Sequence, residues 1–180
     1  WVLMPHCRGT TFQPLLCDAA SALRFRRAEF SVRDLALLAG AFAKTGIASV
    51  DLVGVLNDRT QDLERADDLS NRDICFFLVA ASQVESWADE PFAVANVVEV
   101  LRRDPSSFSS HDLSTLAQAF SRMGDLGQTP LQNVLDEAFR RQLLGFAPRD
   151  RAQLLGALAK AEGPTRRTAL VRLLVRGLAN

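Results

Sequence analysis

The sequence predicts an all-α fold: an α-solenoid of stacked helical hairpins, with about four repeats of 38–39 residues behind an N-terminal capping helix. Three observations predict it. The phrase Phe30-Ser31-Val32-Arg33-Asp34-Leu35 returns as Leu69-Ser70-Asn71-Arg72-Asp73-Ile74, as Phe108-Ser109-Ser110-His111-Asp112-Leu113, and as Phe146-Ala147-Pro148-Arg149-Asp150-Arg151. Its aspartates stand 39, 39 and 38 residues apart, an even period between segments of helical pattern that marks stacked helical units. Seven residues beyond each aspartate lies an alanine (Ala41, Ala80, Ala119, Ala157), followed by Phe42, Ala81, Phe120 and Leu158, the small-then-apolar pairing that close helix packing demands.

The repeated phrase is a helix start. In three copies a serine lies three residues before the aspartate, so its hydroxyl can accept from an orphan amide while the acid reaches back to the serine amide and meets the positive end of the helix dipole. Each such cap is worth about 0.5–2 kcal/mol. In the fourth copy Ala147 replaces the serine, and Pro148 takes the first helical position, where its missing amide costs nothing. The residues before the caps (Phe30, Leu69, Phe108, Phe146) are placed to staple against Leu38, Phe77, Leu116 and Leu154. Capping accounts for the aspartates without a catalytic or metal role.

Taken in order, residues 1–28 comprise an irregular lead-in over 1–10, with Pro5 and Gly9, and a capping helix from about Thr11 to Arg26. The array occupies 29–180, in units of about 29–67, 68–106, 107–145 and 146–180. In the first unit, helix A stops near Gly46, Ser49 caps helix B, and Glu64, Asp67 and Asp68 form a solvated turn. In the second, Pro91 opens helix B and Asp104-Pro105 ends it, while the end of helix A near Glu85 and Trp87 carries no glycine stop. In the third, Gly124 and Gly127 read as loop and Thr129-Pro130 opens helix B. In the fourth, a Gly163-Pro164 break separates helix A from a helix B containing Leu170, Val171, Leu173, Leu174 and Leu178.

Composition narrows function. With 21 basic and 21 acidic residues the net charge is zero, so no global field draws in nucleic acid or an acidic membrane, and any such binding rests on a local patch. Of the cations only Lys44 and Lys160 are lysines. Cys7, Cys17 and Cys75 show no Cys-x-x-Cys spacing, which argues for reduced thiols in an intracellular or organellar compartment. No run approaches the roughly 18 apolar residues of a membrane span, so no membrane insertion is expected. A chain opening on Trp1 has either lost a targeting segment or is part of a longer sequence.

No catalytic constellation is apparent. The two histidines, His6 and His111, lack ligand partners within their units, and there is no glycine-rich phosphate loop or Cys/His nucleophile pair. The sequence therefore predicts a protein that is not an enzyme and needs no cofactor or metal. The candidate binding residues are cations. Arg102-Arg103 and Arg140-Arg141 lie 38 apart and stack near the ends of helix B, either as cations at the negative end of a helix or as a ridge for RNA phosphates. A second row, Lys44, Gln83, Arg122 and Lys160, follows each aspartate by ten residues at the last turn of helix A. Between the helix ends, Thr115, Gln118 and Gln153 are placed to meet bases. Arg26-Arg27 and Arg166-Arg167 are further pairs.

The segment Phe-Ser-Ser-His-Asp-Leu-Ser-Thr-Leu-Ala-Gln-Ala-Phe-Ser-Arg-Met-Gly at 108–124, with its partner at 30–46 ending Ala-Phe-Ala-Lys-Thr-Gly, resembles the unit of organellar octotricopeptide and heptatricopeptide repeat proteins. It is similar also to the repeats of FAST-kinase-like and RAP-domain proteins. The resemblance covers about 29–180 and implies a right-handed solenoid of helical hairpins in mitochondria, or alternatively plastids, that binds organellar RNA or has become a structural protein of the organellar ribosome. A RAP-like C-terminal segment is lacking, and four units with zero net charge give a short RNA footprint. Both features point to a scaffold in a mitochondrial ribosome that contacts rRNA and neighbouring proteins through Lys44, Arg102, Arg103, Arg122, Arg140, Arg141 and Lys160. The alternative is a protein-binding adaptor, or a structural subunit of another organellar complex, with no RNA contact.

Overall fold

The structure is a computed structural model, and it describes residues 13–45, 50–61, 69–84 and 90–161. Among these residues all regular structure is helical. The helices are α1 (Gln13–Arg26), α2 (Val32–Thr45), α3 (Val50–Gln61), α4 (Asn71–Gln83), α5 (Pro91–Arg102), α6 (Ser110–Phe120), α7 (Gly124–Arg140) and α8 (Pro148–Lys160), with single 3-10 turns at Arg27–Glu29 and Pro105–Ser107. None is long and apolar enough to cross a membrane.

The repeated phrase builds the starts of α2, α4, α6 and α8. The Ser31 amide donates to Asp34 Oδ2 at 2.9 Å, and the Asp34 amide donates to Ser31 Oγ at 3.2 Å. Ser109 and Asp112 form the same reciprocal box at 3.3 and 3.1 Å. At α4 the Asp73 amide donates to Ser70 Oγ at 3.2 Å. Pro148 opens α8 after Ala147, and Asp150 again stands three residues past the cap. The four aspartates thus occupy matching sites at four successive helix starts.

Two rows of helices follow. In one, α2 packs on α4, α4 on α6 and α6 on α8; in the other, α1 packs on α3, α3 on α5 and α5 on α7. Contacts of α2 with α3, α4 with α5 and α6 with α7 join the rows. The first row is parallel and in register. Cys75 Sγ meets the Asp112 carbonyl, 37 residues on, at 3.9 Å. His111 meets Asp150 at 3.0 Å and Ser114 meets Gln153 at 3.1 Å, both 39 residues on. In the second row a side chain of one helix caps the next: Asn57 Oδ1, on α3, accepts from the Phe92 amide at the start of α5 at 3.0 Å, and Asn57 Nδ2 donates to Glu90.

The core lies between the rows. Phe42, Phe92 and Phe120 are fully buried, and Phe77 meets Phe92 edge to face with ring centroids 6.5 Å apart. Ala80, Ala119 and Ala157 are buried, whereas Ala41, on the first helix of its row, is half-buried. Leu69, Phe108, Phe146, Phe77, Leu116 and Leu154 join the core, while Phe30 and Leu38 at the same edge as Ala41 are only partly covered.

One boundary is corrected. The sequence reading put Gly124 and Gly127 in a loop and opened a helix at Thr129-Pro130, but α7 already begins at Gly124 and carries Pro130 inside it. The glycine at 127 serves close approach: a Cβ there would lie 2.0 Å from the Phe120 carbonyl oxygen, so only glycine lets the first turn of α7 run against the end of α6. The helix then ends in a Schellman turn, with the Leu143 amide donating to the Ala138 carbonyl and the Gln142 amide to that of Phe139. Gln142 and Leu143 take positive φ there, 54° and 57°, where glycine is usual.

Several sequence readings fall outside the described residues: the lead-in over 1–10, Gly46, Ser49, the turn of Glu64, Asp67 and Asp68, Glu85 and Trp87, the Gly163-Pro164 break, the last helix B, and Arg166-Arg167.

Candidate nucleic-acid interface

The two predicted cation rows are not equivalent. At the end of α5, Arg102 Nε donates to Glu99 at 2.8 Å and Arg103 Nε donates to the same carboxylate at 2.6 Å. Arg103 also donates to Asn71 Oδ1 at 2.6 Å and to the Leu69 carbonyl at 2.9 Å. The end of α7 repeats this: Arg140 and Arg141 both donate to Glu137, at 2.6 and 2.7 Å, and Arg141 Nη2 reaches the Ser106 and Phe108 carbonyls at 3.0 Å. Each inner arginine therefore ties the last turn of one helix to the backbone entering its partner. Their side chains are only 16% and 21% exposed. Arg102 and Arg140 are exposed, but each is matched by a nearly buried glutamate. The hydrogen bond from Arg102 holds Glu99 below the usual carboxylate range, and that from Arg140 does the same for Glu137.

Lys44, Arg122 and Lys160 behave differently. They are exposed, stand at or just past the last turns of α2, α6 and α8, and have no carboxylate partner among the described residues. Gln83 holds the corresponding place on α4. Because α4 and α5 run antiparallel, as do α6 and α7, this row lies at the opposite end of the hairpins from the arginine pairs. The structure does not bring the two predicted ridges together.

It brings together something else. Residues 4, 7 and 11 apart share one helical face. Counting back from the cation row gives Arg33, Leu37, Gly40 and Lys44 on α2, and Arg72, Phe76, Val79 and Gln83 on α4. The same count gives His111, Thr115, Gln118 and Arg122 on α6, and Arg149, Gln153, Gly156 and Lys160 on α8. The first and last member of every set are exposed and the middle members are exposed or half-buried. Arg33, Arg72, His111 and Arg149 thus form a further basic row at the helix starts. This row was not among the expected ones, although each of its residues immediately precedes a repeated aspartate. Those aspartates partly offset it, as the attraction between Arg33 and Asp34 illustrates.

Between α6 and α8 this face opens into a cavity of about 290 Å³ lined by Gln118, Ser121, Arg149, Gln153, Gly156 and Lys160, among others. An inter-helix network adjoins it through Gln153. His111 Nδ1 faces Asp150 Oδ1 at 3.0 Å, which holds the buried Asp150 carboxyl below its ordinary range. Ser114, fully buried, contacts Asp150 and Gln153 and donates to the His111 carbonyl. His111 therefore has a partner, in the next unit. On α4 the face is drier: the Arg72 guanidinium lies 5.6 Å from the Phe76 ring centroid.

Chemically the face offers permanent cations at both edges, with amide, hydroxyl and glycine positions between them on α6 and α8 and the apolar Leu37, Phe76 and Val79 on α2 and α4; the α6–α8 part suits phosphates and sugar or base edges. Cys75 is buried, and burial pushes its thiol well above the usual range. Among the described residues no three His, Cys, Asp or Glu side chains are grouped to hold a metal ion. The fold and face define an all-helical protein with a cation-framed surface. The chain matches no family model, and no curated protein and no solved structure matches it.

Proposed function

We propose that the protein is a non-catalytic RNA-binding scaffold, that its two helix rows are the layers of an α-solenoid of hairpins with α1 as the N-terminal cap, and that the row α2, α4, α6, α8 is its RNA-binding face. The observation that carries this reading is the exposed row Lys44, Arg122 and Lys160, which has no carboxylate partner among the described residues and whose Lys160 lines the cavity beside Gln118 and Gln153. Arg102 and Arg140 lie at the other end of the hairpins and contribute secondarily, while Arg103 and Arg141 act through the fold. The organellar setting, mitochondrial before plastid, and the assignment to a ribosome rest on the repeat resemblance. The second reading, an adaptor or structural subunit of another organellar complex, is favoured by one feature: Val94, Val98 and Leu101 form an exposed apolar strip on α5.

The test is RNA affinity across a salt series for the wild type and for K44Q/R122Q/K160Q. Binding is expected to fall about a hundredfold between 50 and 200 mM salt, and the triple variant is expected to lose about tenfold at 100 mM. Unchanged RNA binding by the triple variant refutes the assignment of this face.

A further inference from the structure

We infer that the face takes double-helical, A-form RNA, with its two basic rows straddling one groove of a stem. This rests on the RNA reading above and names the form of RNA bound.

Arg33 and Lys44, like Arg149 and Lys160, lie 11 residues apart on one helix, so at 1.5 Å per residue the two rows run about 16 Å apart. Side-by-side packing of four helices at about 8–10 Å spacing makes each row about 25–30 Å long, enough to meet several successive phosphates of one strand. Two parallel cation rows with an uncharged strip between them match two phosphate backbones flanking a groove; a single strand presents only one backbone.

The strip itself discriminates further. Its members on α6 and α8 are Thr115, Gln118, Gln153 and Gly156, short or amide side chains without an aromatic among them. Sequence-tolerant binding of single strands relies on aromatic platforms for stacking. The one aromatic ring on the face, Phe76, is half-buried and carries the Arg72 guanidinium. On α6 and α8 the strip is polar and unaromatic and fits the wide, shallow minor groove of A-form RNA, where 2′-hydroxyls meet hydroxyl and amide groups, while on α2 and α4 it is lined by Leu37, Phe76 and Val79.

The experiment uses the full chain and three probes: a 16-base-pair RNA duplex, one of its strands alone, and the same duplex in DNA. Fluorescence anisotropy at 100 mM salt is expected to rank the RNA duplex at least tenfold above both others. R33Q/R72Q/R149Q and K44Q/R122Q/K160Q are each expected to weaken duplex binding fivefold or more and to lower its salt slope, with helicity and melting unchanged by circular dichroism. A single strand or a DNA duplex bound as tightly as the RNA duplex overturns the duplex inference and leaves the RNA reading standing, as does a first triple variant that binds the duplex normally. No binding of any probe overturns both.

Discussion

Glu99 and Glu137 are the residues on which the ends of α5 and α7 turn. Each is nearly buried and accepts from two arginines, one of which also holds turn carbonyls. Removing such a charged hydrogen-bond partner costs about 1.5–3 kcal/mol. The pH consequence has a definite sign. Both carboxyls titrate below their ordinary value in the folded chain, so the stability they add is present above the unfolded Glu value near pH ~4.3 and is lost as pH falls through the lower folded value. Denaturation between pH 7 and pH 3 should show a steep acid decline for the wild type. E99Q/E137Q should be less stable at pH 7 and show a shallower decline; an unaltered acid limb would assign the decline to other groups. The arginine pairs were legible in sequence as a 38-residue repeat, whereas Glu99 and Glu137, which recur at the same spacing three and four places earlier, were not singled out. What the spacing did not reveal was direction: Arg103 and Arg141 turn inward because backbone carbonyls of the opposing helix entry lie within reach.

At the scale of elements, α7 is where local rules and packing disagree. Glycines at 124 and 127 and a proline at 130 read as loop, yet the helix runs through them, because its apolar positions Leu131, Val134, Leu135 and Ala138 are drawn into the core and Gly127 admits the Phe120 carbonyl. Gly127→Ala should therefore destabilise the protein by about 3 kcal/mol or more, since a backbone group must move. Gly54→Ala is the control. A Cβ at 54, inside α3, meets nothing within 4 Å, and the change should add about 0.5–1 kcal/mol. Denaturant midpoints check both, and equal effects of the two would refute the close-approach account. The helix starts, by contrast, were fully readable, because a cap is made by residues three apart and needs no distant partner.

On the scale of the whole molecule, α2, α4, α6 and α8 pack one on the next, and Ala80, Ala119 and Ala157 are buried at equivalent places on the last three. Ala119→Leu should overpack its surroundings at a cost of about 1–3 kcal/mol. In the proposed solenoid, where stability resembles a sum of unit and interface terms, the loss should appear in hydrogen exchange as reduced protection of α4 and α6 with α1 little changed; a uniform loss along the chain would argue against that proposal. By itself the sequence determined the helical class, the 38–39-residue period and the capped starts of α2, α4, α6 and α8, since these depend on neighbours within a turn or two of the same helix. Tertiary structure alone decided which cations face solvent, that Arg103 and Arg141 bind the fold while Arg33, Arg72 and Arg149 line a shared face, and that His111 meets Asp150. Those outcomes depend on side chains 33 to 39 residues apart, whose meeting is set by the register between helices and not by any local pattern.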